Sequence, residues 1–333
     1  MMISLADAER LAVRAFERAG VSRLQAQATA RALVAAERDG QKGHGLVRVA
    51  AYAAQARAGK VKGDAVPQAE QTRPAALVVD AANGFAYAAI ELGLERLIPL
   101  AHQNGVAAAA IRRSHHCGQA GLHVERLAEA GLVAFLFANT PQAMAFWGGA
   151  RPMLGTNPLA FAAPSPEGAP LVIDLALSVA ARAKIIAAKS AGAPIPEGWA
   201  LDAEGRPTTD AAAALKGSLV PVGGAKGAAL ALMVEILAAA VTGSHYGFEA
   251  TSFLDAEGGP PEVGQFFLAV DPSAFGPGFM ARMSALAAAM AEEAGVRAPG
   301  TTRLKNRQKA EEHGLDIAPA LLGDLKALAG EAA

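Results

Sequence analysis

Short apolar runs alternate with helix-length segments from about residue 76 onward, and this alternation is the strongest constraint on the fold. The runs that predict strands are Ala76–Asp80, Val106–Ile111, Leu132–Ala138, Leu159–Ala163, Leu171–Leu175 and Phe266–Val270. The segments that predict helices cover about Tyr87–Asn104, Gly121–Ala130, Lys226–Val241 and Pro277–Ala294. Such alternation is typical of an α/β domain, because the helices cover the faces of the sheet.

Helix signals dominate the first 60 residues. Ser4 and Ser22 are each followed three residues later by Asp or Gln, which is an N-cap pattern. The two helices that they open end near Gly20 and Gly40, and a third covers about Val47–Ala58.

The last segment, from residue 317 onward, is also helical in pattern. We expect it to pack back on the N-terminal helices. The sequence therefore predicts a helical domain over residues 1–70, joined by residues 310–333, and an α/β domain over residues 71–309.

Composition limits the class of protein. The 333 residues are 52% hydrophobic and carry a formal net charge of −1, without the basic excess that is usual in a nucleic-acid partner. The single cysteine, Cys117, suits a reducing compartment. The N-terminus lacks the pattern of a secretory signal, and no apolar run reaches the roughly 18 residues of a membrane helix. We expect a cytoplasmic protein with no membrane partner.

The usual dinucleotide fingerprint, Gly-x-Gly-x-x-Gly after a strand, is missing. A Gly-rich turn, Gly223–Gly227, instead stands directly before a predicted helix. Backbone N–H groups at a helix start can hold a phosphate, although such a turn can equally be an ordinary loop.

His44, Arg48 and Tyr52 are spaced four residues apart, so they share one face if a helix begins near His44. Arginine can hold a carboxylate through two parallel hydrogen bonds, and histidine can transfer a proton near neutral pH. The alternative is a polar helix face in solvent.

A second polar cluster follows a predicted strand and includes His115, His116 and Cys117, with His123 further on. Ligand sites in α/β proteins form at such strand ends. Adjacent histidines point in different directions and no Cys-x-x-Cys is present, so we predict no metal site. A nucleophilic role for Cys117 competes with that of an inert buried thiol.

Two further positions combine structural and ligand-binding potential. Thr156 and Asn157 lie in a tight turn and could also offer hydrogen bonds to a ligand. Asp174 stands at a strand end, where it could accept from ribose hydroxyls or cap a helix.

Together these segments resemble the type 2 malate/L-lactate dehydrogenase family. That family is unrelated to the Rossmann lactate dehydrogenases and includes sulfolactate and ureidoglycolate dehydrogenases and Δ1-piperideine-2-carboxylate/Δ1-pyrroline-2-carboxylate reductases. The segments that match it, in order, are Glu37–Gly40 with His44-Gly45 and Arg48, Ser114–Gly118, Gly155–Phe161, Ile173–Ala176, Ile195–Asp202, Pro207–Asp210 and Gly223–Gly227.

The resemblance implies a fold and a set of roles. The fold is a mixed-sheet α/β domain, not Rossmann, that binds NAD or NADP, with a helical domain from both chain ends, in a homodimer with sites near the subunit interface. The implied catalytic residues are His44, His116 and Lys184, and the implied substrate-binding residues are Arg48, Tyr52, Thr156 and Arg182. The implied cofactor-binding residues are His116, Cys117, Gly118, Gln119, Ala120, Thr140, Asp174, Leu175, Ala176, Gly224, Ala225, Gly300, Arg303 and Asn306.

Three departures from the family pattern bear on the substrate and on the cofactor site. Most relatives have serine where this chain has Gly43, and the imine reductases have aspartate where it has Lys184. Lysine there resembles the 2-oxo acid branch. The family's acidic residue after Pro299-Gly300 is Thr301 here.

The expected function is an oxidoreductase that transfers hydride between nicotinamide and C2 of a small 2-oxo or 2-hydroxy acid of the malate, lactate or sulfolactate type. The alternative within the family is a cyclic imine reductase. Outside it, the alternatives are a metal-dependent lyase or hydrolase that uses His115, His116 and His123, and a non-catalytic binding protein.

Overall fold

The computed structural model describes residues 1–166 and 168–331, so residue 167 and the last two residues of the predicted 310–333 segment lie outside the described part. The helices are α1 (Leu5–Glu17), α2 (Arg23–Arg38), α3 (Arg48–Arg57), α4 (Ala86–Asn104), α5 (Ala120–Glu129), α6 (Arg182–Ser190), α7 (Ala211–Lys216), α8 (Ala225–Glu235), α9 (Phe279–Glu292), α10 (Thr301–His313) and α11 (Pro319–Ala329). The strands are β1 (Met2–Ile3), β2 (Gln68–Arg73), β3 (Ala76–Asp80), β4 (Val106–Ser114), β5 (Val133–Ala138), β6 (Met144–Ala145), β7 (Pro152–Leu154), β8 (Leu159–Ala163), β9 (Leu171–Leu175), β10 (Ala200–Leu201), β11 (Pro207–Thr208), β12 (Ser218–Leu219), β13 (Val263–Val270) and β14 (Leu315–Asp316).

A seven-stranded mixed sheet forms the centre of the molecule, with strand order β2-β3-β4-β13-β5-β8-β9. Among these strands β3 and β4 run parallel, and every other neighbouring pair is antiparallel. The late strand β13 lies in the middle, where Phe266 stands opposite Ala110 of β4 and Phe137 of β5. The predicted mixed sheet is confirmed, and its topology is not the parallel doubly wound one.

Helices α4 and α5 cover one face of this sheet. Leu94 and Leu97 of α4 and Val124 of α5 are buried with Phe267 of β13 in one apolar core. Most strand residues in that core are alanine, so the helices lie close to the sheet. Gly93 of α4 and Gly121 of α5 mark two close approaches, since a Cβ would lie 3.4 Å from the Val79 side chain at the first and 3.0 Å from the Val172 side chain at the second.

A second core is built by both ends of the chain. Helices α1, α2, α3 and α11 bury Phe16, Leu33, Tyr52 and Leu325 together. The cap signals are present: Ser4 Oγ accepts from the Asp7 N–H at 3.0 Å. The helical unit expected from the two chain ends is thus confirmed, while its division at residues 70 and 310 stays a prediction.

The elements that the sequence did not predict have little apolar periodicity. Strand β2 is exposed at every residue, so it lacks the alternation of a half-buried strand. The predicted helix over 226–241 begins one residue earlier, as α8, and ends at Glu235, after which Ile236–Ala240 forms a π-helical turn. A small sheet, in the order β11-β10-β12-β6-β7, packs with α6, α7 and α8 around a third core. In residues 1–166 and 168–331, no helix has both the length and the apolarity needed to cross a membrane.

Candidate active site

Three of the residues predicted for the site meet beside the end of β4. The chain leaves β4 at Ser114 and presents His115 and His116 before α5 begins. The hydroxyl of Tyr52, on α3, lies 2.6 Å from Nδ1 of His116. The ring of His44 stands 5.2 Å from the ring of His116, centroid to centroid. His44 and His116, which are 72 residues apart in sequence, therefore belong to one group.

His44 does not belong to the helix that carries Arg48 and Tyr52. It ends a 3-10 turn, Lys42–His44, and α3 covers Arg48–Arg57, close to the predicted 47–58, so the condition of a helix that begins near His44 is not met. Gly45, between the two, has a non-helical backbone with φ −95° and ψ −144°, and a Cβ there would lie 2.2 Å from a Glu37 carboxylate oxygen. That carboxylate accepts from the Leu46 N–H at 3.0 Å. The turn still brings His44 beside Arg48.

The electrostatics of this group keep its histidines neutral near pH 7. Burial lowers the pKa of His44 to about 4, and the positive charge of Arg48 adds to the effect. Burial also lowers the pKa of His116 well below its ordinary value, with Arg48 and His44 adding to it. Nδ1 of His44 is buried and has no hydrogen-bond partner among the described residues. A neutral imidazole beside a fixed cation is suited to accept a proton and to lie next to an anion.

Arg48 is half-buried, and its Nε donates to the carbonyl of Gly43 at 2.7 Å. This bond anchors one edge of the guanidinium to the 3-10 turn and leaves the two terminal nitrogens for other acceptors. The predicted carboxylate clamp is therefore held in place by the same turn that positions His44.

In the turn after β7, the two polar residues Thr156 and Asn157 make different contacts. The Thr156 N–H donates to Thr140 Oγ1 at 2.9 Å, and the two hydroxyl oxygens are 3.3 Å apart. Asn157 points inward instead, where its Nδ2 donates to Glu235 Oε2 at 2.7 Å. Of this pair, the half-buried Thr156 is the one left for a ligand.

Four residues predicted for the cofactor, from three separate segments, line one cleft of about 370 Å³. They are Gln119, Asp174, Gly300 and Arg303. The loop before α5 is joined to the end of β9 because the Gly121 N–H donates to Asp174 Oδ2 at 2.7 Å. Convergence of distant segments on one cleft is how α/β proteins form ligand sites.

Arg303 gives this cleft a feature suited to phosphate. Its NH1 donates to both oxygens of Glu125 at 2.7 Å. Its Nε and NH2 are buried without a partner among residues 1–166 and 168–331. Helix α10 begins directly after Gly300, whose φ is 85°, and a Cβ on that glycine would lie 3.6 Å from NH2. Unpaired guanidinium N–H groups beside a helix N-terminus fit a nucleotide phosphate.

The other residues predicted for the cofactor lie in several environments. Burial raises the pKa of the Cys117 thiol to about 12, so it stays protonated. Gly118 has a φ of 68°, and a Cβ there would lie 2.7 Å from the Tyr87 hydroxyl. Asn306 donates through Nδ2 to the carbonyl of Asp39 at 3.3 Å. The remaining positions are Ala120 at the start of α5, Leu175 and Ala176 in exposed backbone, and Gly224 and Ala225 at the start of α8 beside Trp147.

Lys184 and Arg182 make their contacts elsewhere in the chain. Lys184 is exposed on α6, with its ammonium 5.6 Å from the centre of the Trp199 ring. Arg182 donates through NH2 to the carbonyl of Leu215 at 3.3 Å. Within the described residues, no hydrogen bond joins either of them to His44.

The remaining histidines serve other contacts. His115 packs between the rings of Tyr52, Phe85 and Phe253. His123 Nε2 donates to the carbonyl of Cys117 at 2.8 Å. In the described part of the chain, no group of three or more His, Cys, Asp or Glu side chains is arranged to hold a metal ion.

Sequence reasoning missed several residues that support the site. Lys60 and Gln55 hold the segment that carries Phe253, and Arg307 pairs with two buried carboxylates behind the cleft. Charged side chains are usually exposed, so none of these stood out in the sequence. Asp39 could have indicated a partner such as Arg307, because it lies inside Glu37–Gly40, one of the segments that resemble the family.

A family model described as malate/L-lactate dehydrogenase matches residues 3–326. The chain is 55% identical over 328 residues to a (2R)-3-sulfolactate dehydrogenase (NADP(+)) of Chromohalobacter salexigens, covering 98% of each chain. It is 40% identical over 330 residues to a Δ(1)-pyrroline-2-carboxylate reductase of Ancylobacter novellus, covering 98% of this chain and 97% of the relative.

Among solved structures, the chain is similar to a Δ1-piperideine-2-carboxylate reductase from Pseudomonas syringae pvar. tomato. The TM-score is 0.94 at 37% identity, over 98% of this chain and 99% of the other. The matches therefore extend over almost the whole chain, including both the helical ends and the mixed sheet.

Proposed function

Because the chain belongs to the malate/L-lactate dehydrogenase family and is therefore an oxidoreductase, we propose that it transfers hydride between NAD(P) and C2 of a small 2-oxo or 2-hydroxy acid. The observation that carries this proposal is the placement of Arg48 beside the paired rings of His44 and His116. A guanidinium next to neutral imidazoles can bind a carboxylate and handle a proton at the adjacent carbon's oxygen.

Arg48 holds the carboxylate of the substrate, and Thr156 assists from the turn after β7. With the carboxylate fixed, C2 and its oxygen are confined near the histidine pair, which lowers the entropy cost of reaching the reactive geometry. The cofactor, when bound in the cleft lined by Asp174 and Arg303, supplies or accepts the hydride.

His44 carries the proton to and from the C2 oxygen. We assign the transfer to Nε2, because Nδ1 is buried within the protein. In the free enzyme His44 is neutral, since burial and then Arg48 lower its pKa to about 4. A carboxylate bound to Arg48 offsets that positive charge, so substrate binding raises the pKa of His44 and favours the protonated form that reduction needs.

His116 is held in place for this task by Tyr52. Burial raises the pKa of Tyr52 to about 12, so the phenol keeps its proton and can donate it to Nδ1 of His116. The Tyr52 hydroxyl is thereby committed to His116, and we assign this tyrosine a positioning role rather than direct contact with substrate.

We propose NADP as the preferred cofactor and a 2-oxo acid with an anionic side chain as the preferred substrate. The unpaired N–H groups of Arg303, and Thr301 in place of an acidic residue, favour an additional phosphate in the cleft. The relative named as a (2R)-3-sulfolactate dehydrogenase is 55% identical to this chain, against 40% for the pyrroline-2-carboxylate reductase. In addition, Lys184 resembles the residue of the 2-oxo acid branch.

We also propose a cytoplasmic location, because the single, buried, free Cys117 suits a reducing compartment.

A cyclic imine reductase is the second candidate. It is favoured by the TM-score of 0.94 to the structure of a Δ1-piperideine-2-carboxylate reductase and by the 40% identity to a Δ(1)-pyrroline-2-carboxylate reductase. In an imine the same Arg48 and His44 would serve the carboxylate and the ring nitrogen.

The test is the loss of NADPH and NADH absorbance with 3-sulfopyruvate, oxaloacetate, pyruvate and Δ1-piperideine-2-carboxylate. We expect the highest kcat/KM with NADPH and 3-sulfopyruvate. Turnover of the imine alone would assign the chain to the reductase branch. Absence of turnover with all four substrates would overturn the proposal.

We also propose that the protein is a homodimer with its sites near the interface. Helix α8 and the π-helical turn expose a row of apolar side chains at 39–54% of their surface: Leu230, Leu232, Met233, Ile236 and Val241. A continuous apolar row of this kind is characteristic of a protein interface. Self-association of one surface on itself is the commonest oligomer geometry.

Ile236→Lys should convert the dimer to monomers, because it places a charge in the apolar row. Light scattering after size exclusion, at several protein concentrations, measures the mass. Val66→Lys is the control, since Val66 is 65% exposed and belongs to a different region. A wild-type protein that is monomeric throughout, or an Ile236→Lys variant that stays dimeric, would contradict this assignment.

A further inference from the structure

The segment 253–257 packs against the histidine group through one aromatic ring. The Phe253 ring lies 5.1 Å from the ring of His115 and 5.1 Å from the ring of His116, centroid to centroid. Phe253 is buried, whereas its neighbours Leu254 and Asp255 are exposed. One ring from an exposed loop thus closes the apolar side of the site.

Lys60 binds this segment through hydrogen bonds to its backbone. Its side chain is fully buried, and Nζ donates to the carbonyl of Glu257 at 2.6 Å and to the carbonyl of Asp255 at 3.2 Å. The same nitrogen lies 3.3 Å from Asp255 Oδ1. A buried ammonium is costly unless it is paired and hydrogen-bonded, so these contacts define one position of the loop.

Gln55 adds two bonds from the adjoining helix α3. Its Nε2 donates to the carbonyl of Phe253 at 3.0 Å and to the carbonyl of Asp255 at 2.9 Å. Gln55 therefore holds backbone carbonyls on both sides of Leu254, and Lys60 holds the two that follow it, those of Asp255 and Glu257. Because α3 also carries Tyr52, one rigid helix sets both the phenol that binds His116 and the ring that packs against it.

We propose that Lys60 and Gln55 are positioning residues: by fixing the 253–257 segment, they keep the Phe253 ring against His115 and His116 and keep water from that side of the site. The inference rests on the proposed function only in that the histidines serve the reaction.

The expected consequences follow from dehydration of the histidines. Burial is the largest contribution to the lowered pKa of His116, so admitting water should raise it towards the ordinary value. The other titratable or charged groups around His116 are Arg48, His44, His115, His123 and Tyr52. The charge of Lys60 lowers the pKa of the adjacent His115, so Lys60→Met also removes a charge, whereas Gln55→Met removes none and isolates the effect of water. A displaced imidazole should also slow the reaction, since small misplacements near the reacting atoms lower kcat strongly.

The test compares Lys60→Met and Gln55→Met with Lys62→Met, which alters an exposed lysine two residues away from the anchor. We expect kcat to fall roughly 10- to 100-fold in the first two variants, as for other misplaced catalytic groups, and to stay unchanged in the third. The Kd of NADPH, followed by its fluorescence, should not change in any of them. Histidine titration by ¹⁵N NMR should show the His116 pKa raised in Lys60→Met and Gln55→Met alone.

Phe253 links the anchors to the histidines, so its variants complete the test. Phe253→Ala should reproduce the loss of kcat, and Phe253→Leu, which keeps an apolar side chain there, should restore most of it. Because Lys60 acts through this ring, Lys60→Met combined with Phe253→Ala should be no slower than Phe253→Ala alone.

Two results would overturn the proposal: a His116 titration that is the same in Lys60→Met, Gln55→Met and Lys62→Met, or losses of kcat that multiply in the double variant. The NMR measurement needs no turnover. An inactive wild-type enzyme would therefore count against the proposed function, while the titration would still decide the role of Lys60. If Lys60→Met does not fold, Gln55→Met decides it alone.

Discussion

His44→Gln should lower kcat by about 10²- to 10⁴-fold, the usual contribution of a general acid or base. Glutamine has nearly the size of histidine and cannot titrate, so the 3-10 turn and its bond from Arg48 to Gly43 should persist. The Kd of NADPH should stay as in the wild type, because the cofactor cleft lies around Asp174 and Arg303. Steady-state kinetics and NADPH fluorescence measure both quantities.

The pH profile gives an independent measurement of the same group. In the direction of hydroxy-acid oxidation, His44 must be neutral to accept the proton. Its pKa is lowered to about 4, so kcat/KM should be constant from neutral pH down to about pH 5 and fall at lower pH as the imidazole becomes protonated. Short assays after a pH jump limit acid unfolding during the measurement.

His102→Gln is the matched control, since His102 is an exposed histidine bound to Asp271. It should keep full activity. His116→Gln distinguishes the two candidate acid/base residues. A greater loss of kcat in His116→Gln than in His44→Gln would transfer the proton-transfer role to His116 and make His44 the supporting residue.

Arg307→Met should destabilise the protein by about 3–5 kcal/mol, as expected when one partner of a buried ion pair is removed. Its NH2 donates to Asp39 Oδ2 and to Glu125 Oε2, each at 2.8 Å. The side chain of Asp39 is fully buried and that of Glu125 is 3% exposed. Without Arg307, these carboxylates keep fewer compensating charges in a poorly solvated environment.

The loss should depend on pH. Burial raises the pKa of Asp39, but the bonds and the charge of Arg307 outweigh burial and hold that pKa below its ordinary value. In the wild type this stability is present above the ordinary pKa of an aspartate and lost as pH falls through the lowered one. In Arg307→Met the pKa of Asp39 rises. Protonation then removes the uncompensated buried charge of Asp39 at a higher pH than in the wild type. The destabilisation should be smaller at pH 5 than at pH 8.

Urea unfolding at one fixed protein concentration measures both effects. Arg31→Met is the control, because Arg31 is also on a long helix and binds the Glu91 carboxylate of α4, but in an exposed pair. It should cost less than about 1 kcal/mol. If Arg307→Met and Arg31→Met lowered the free energy of unfolding equally at both pH values, the result would contradict the role given to the buried network.

Sequence patterns predicted the parts of this fold that local physics determines. Strands β8 and β9 have the bounds that their apolar runs indicated, because turn residues precede both runs and also follow β8. The hydroxyls of Ser4 and Ser22 cap α1 and α2 as expected. Strand β2 was not predictable, because an edge strand exposed on both faces has no hydrophobic period.

In the candidate site, too, some residues could be predicted from the sequence and others could not. His44 and His116 stood out because motif segments in a fixed order indicated a family, although no spacing rule joins residues so far apart. Lys60 and Arg303 did not reveal their burial, since the groups that compensate their charges lie 178 or more residues away along the chain. Such partnerships exist only once the fold has formed, and no local pattern encodes them.

The position of β13 has a consequence for biosynthesis. This strand, Val263–Val270, lies between β4 and β5, which are both made more than 120 residues earlier. Until β13 has left the ribosome, β4 and β5 each present an unpaired edge, and open edges recruit other strands. Long-range pairings of this kind form slowly. We therefore expect nascent chains of this protein to be prone to aggregation from the completion of β5 until β13 has emerged, and chaperones that shield strand edges to raise its yield.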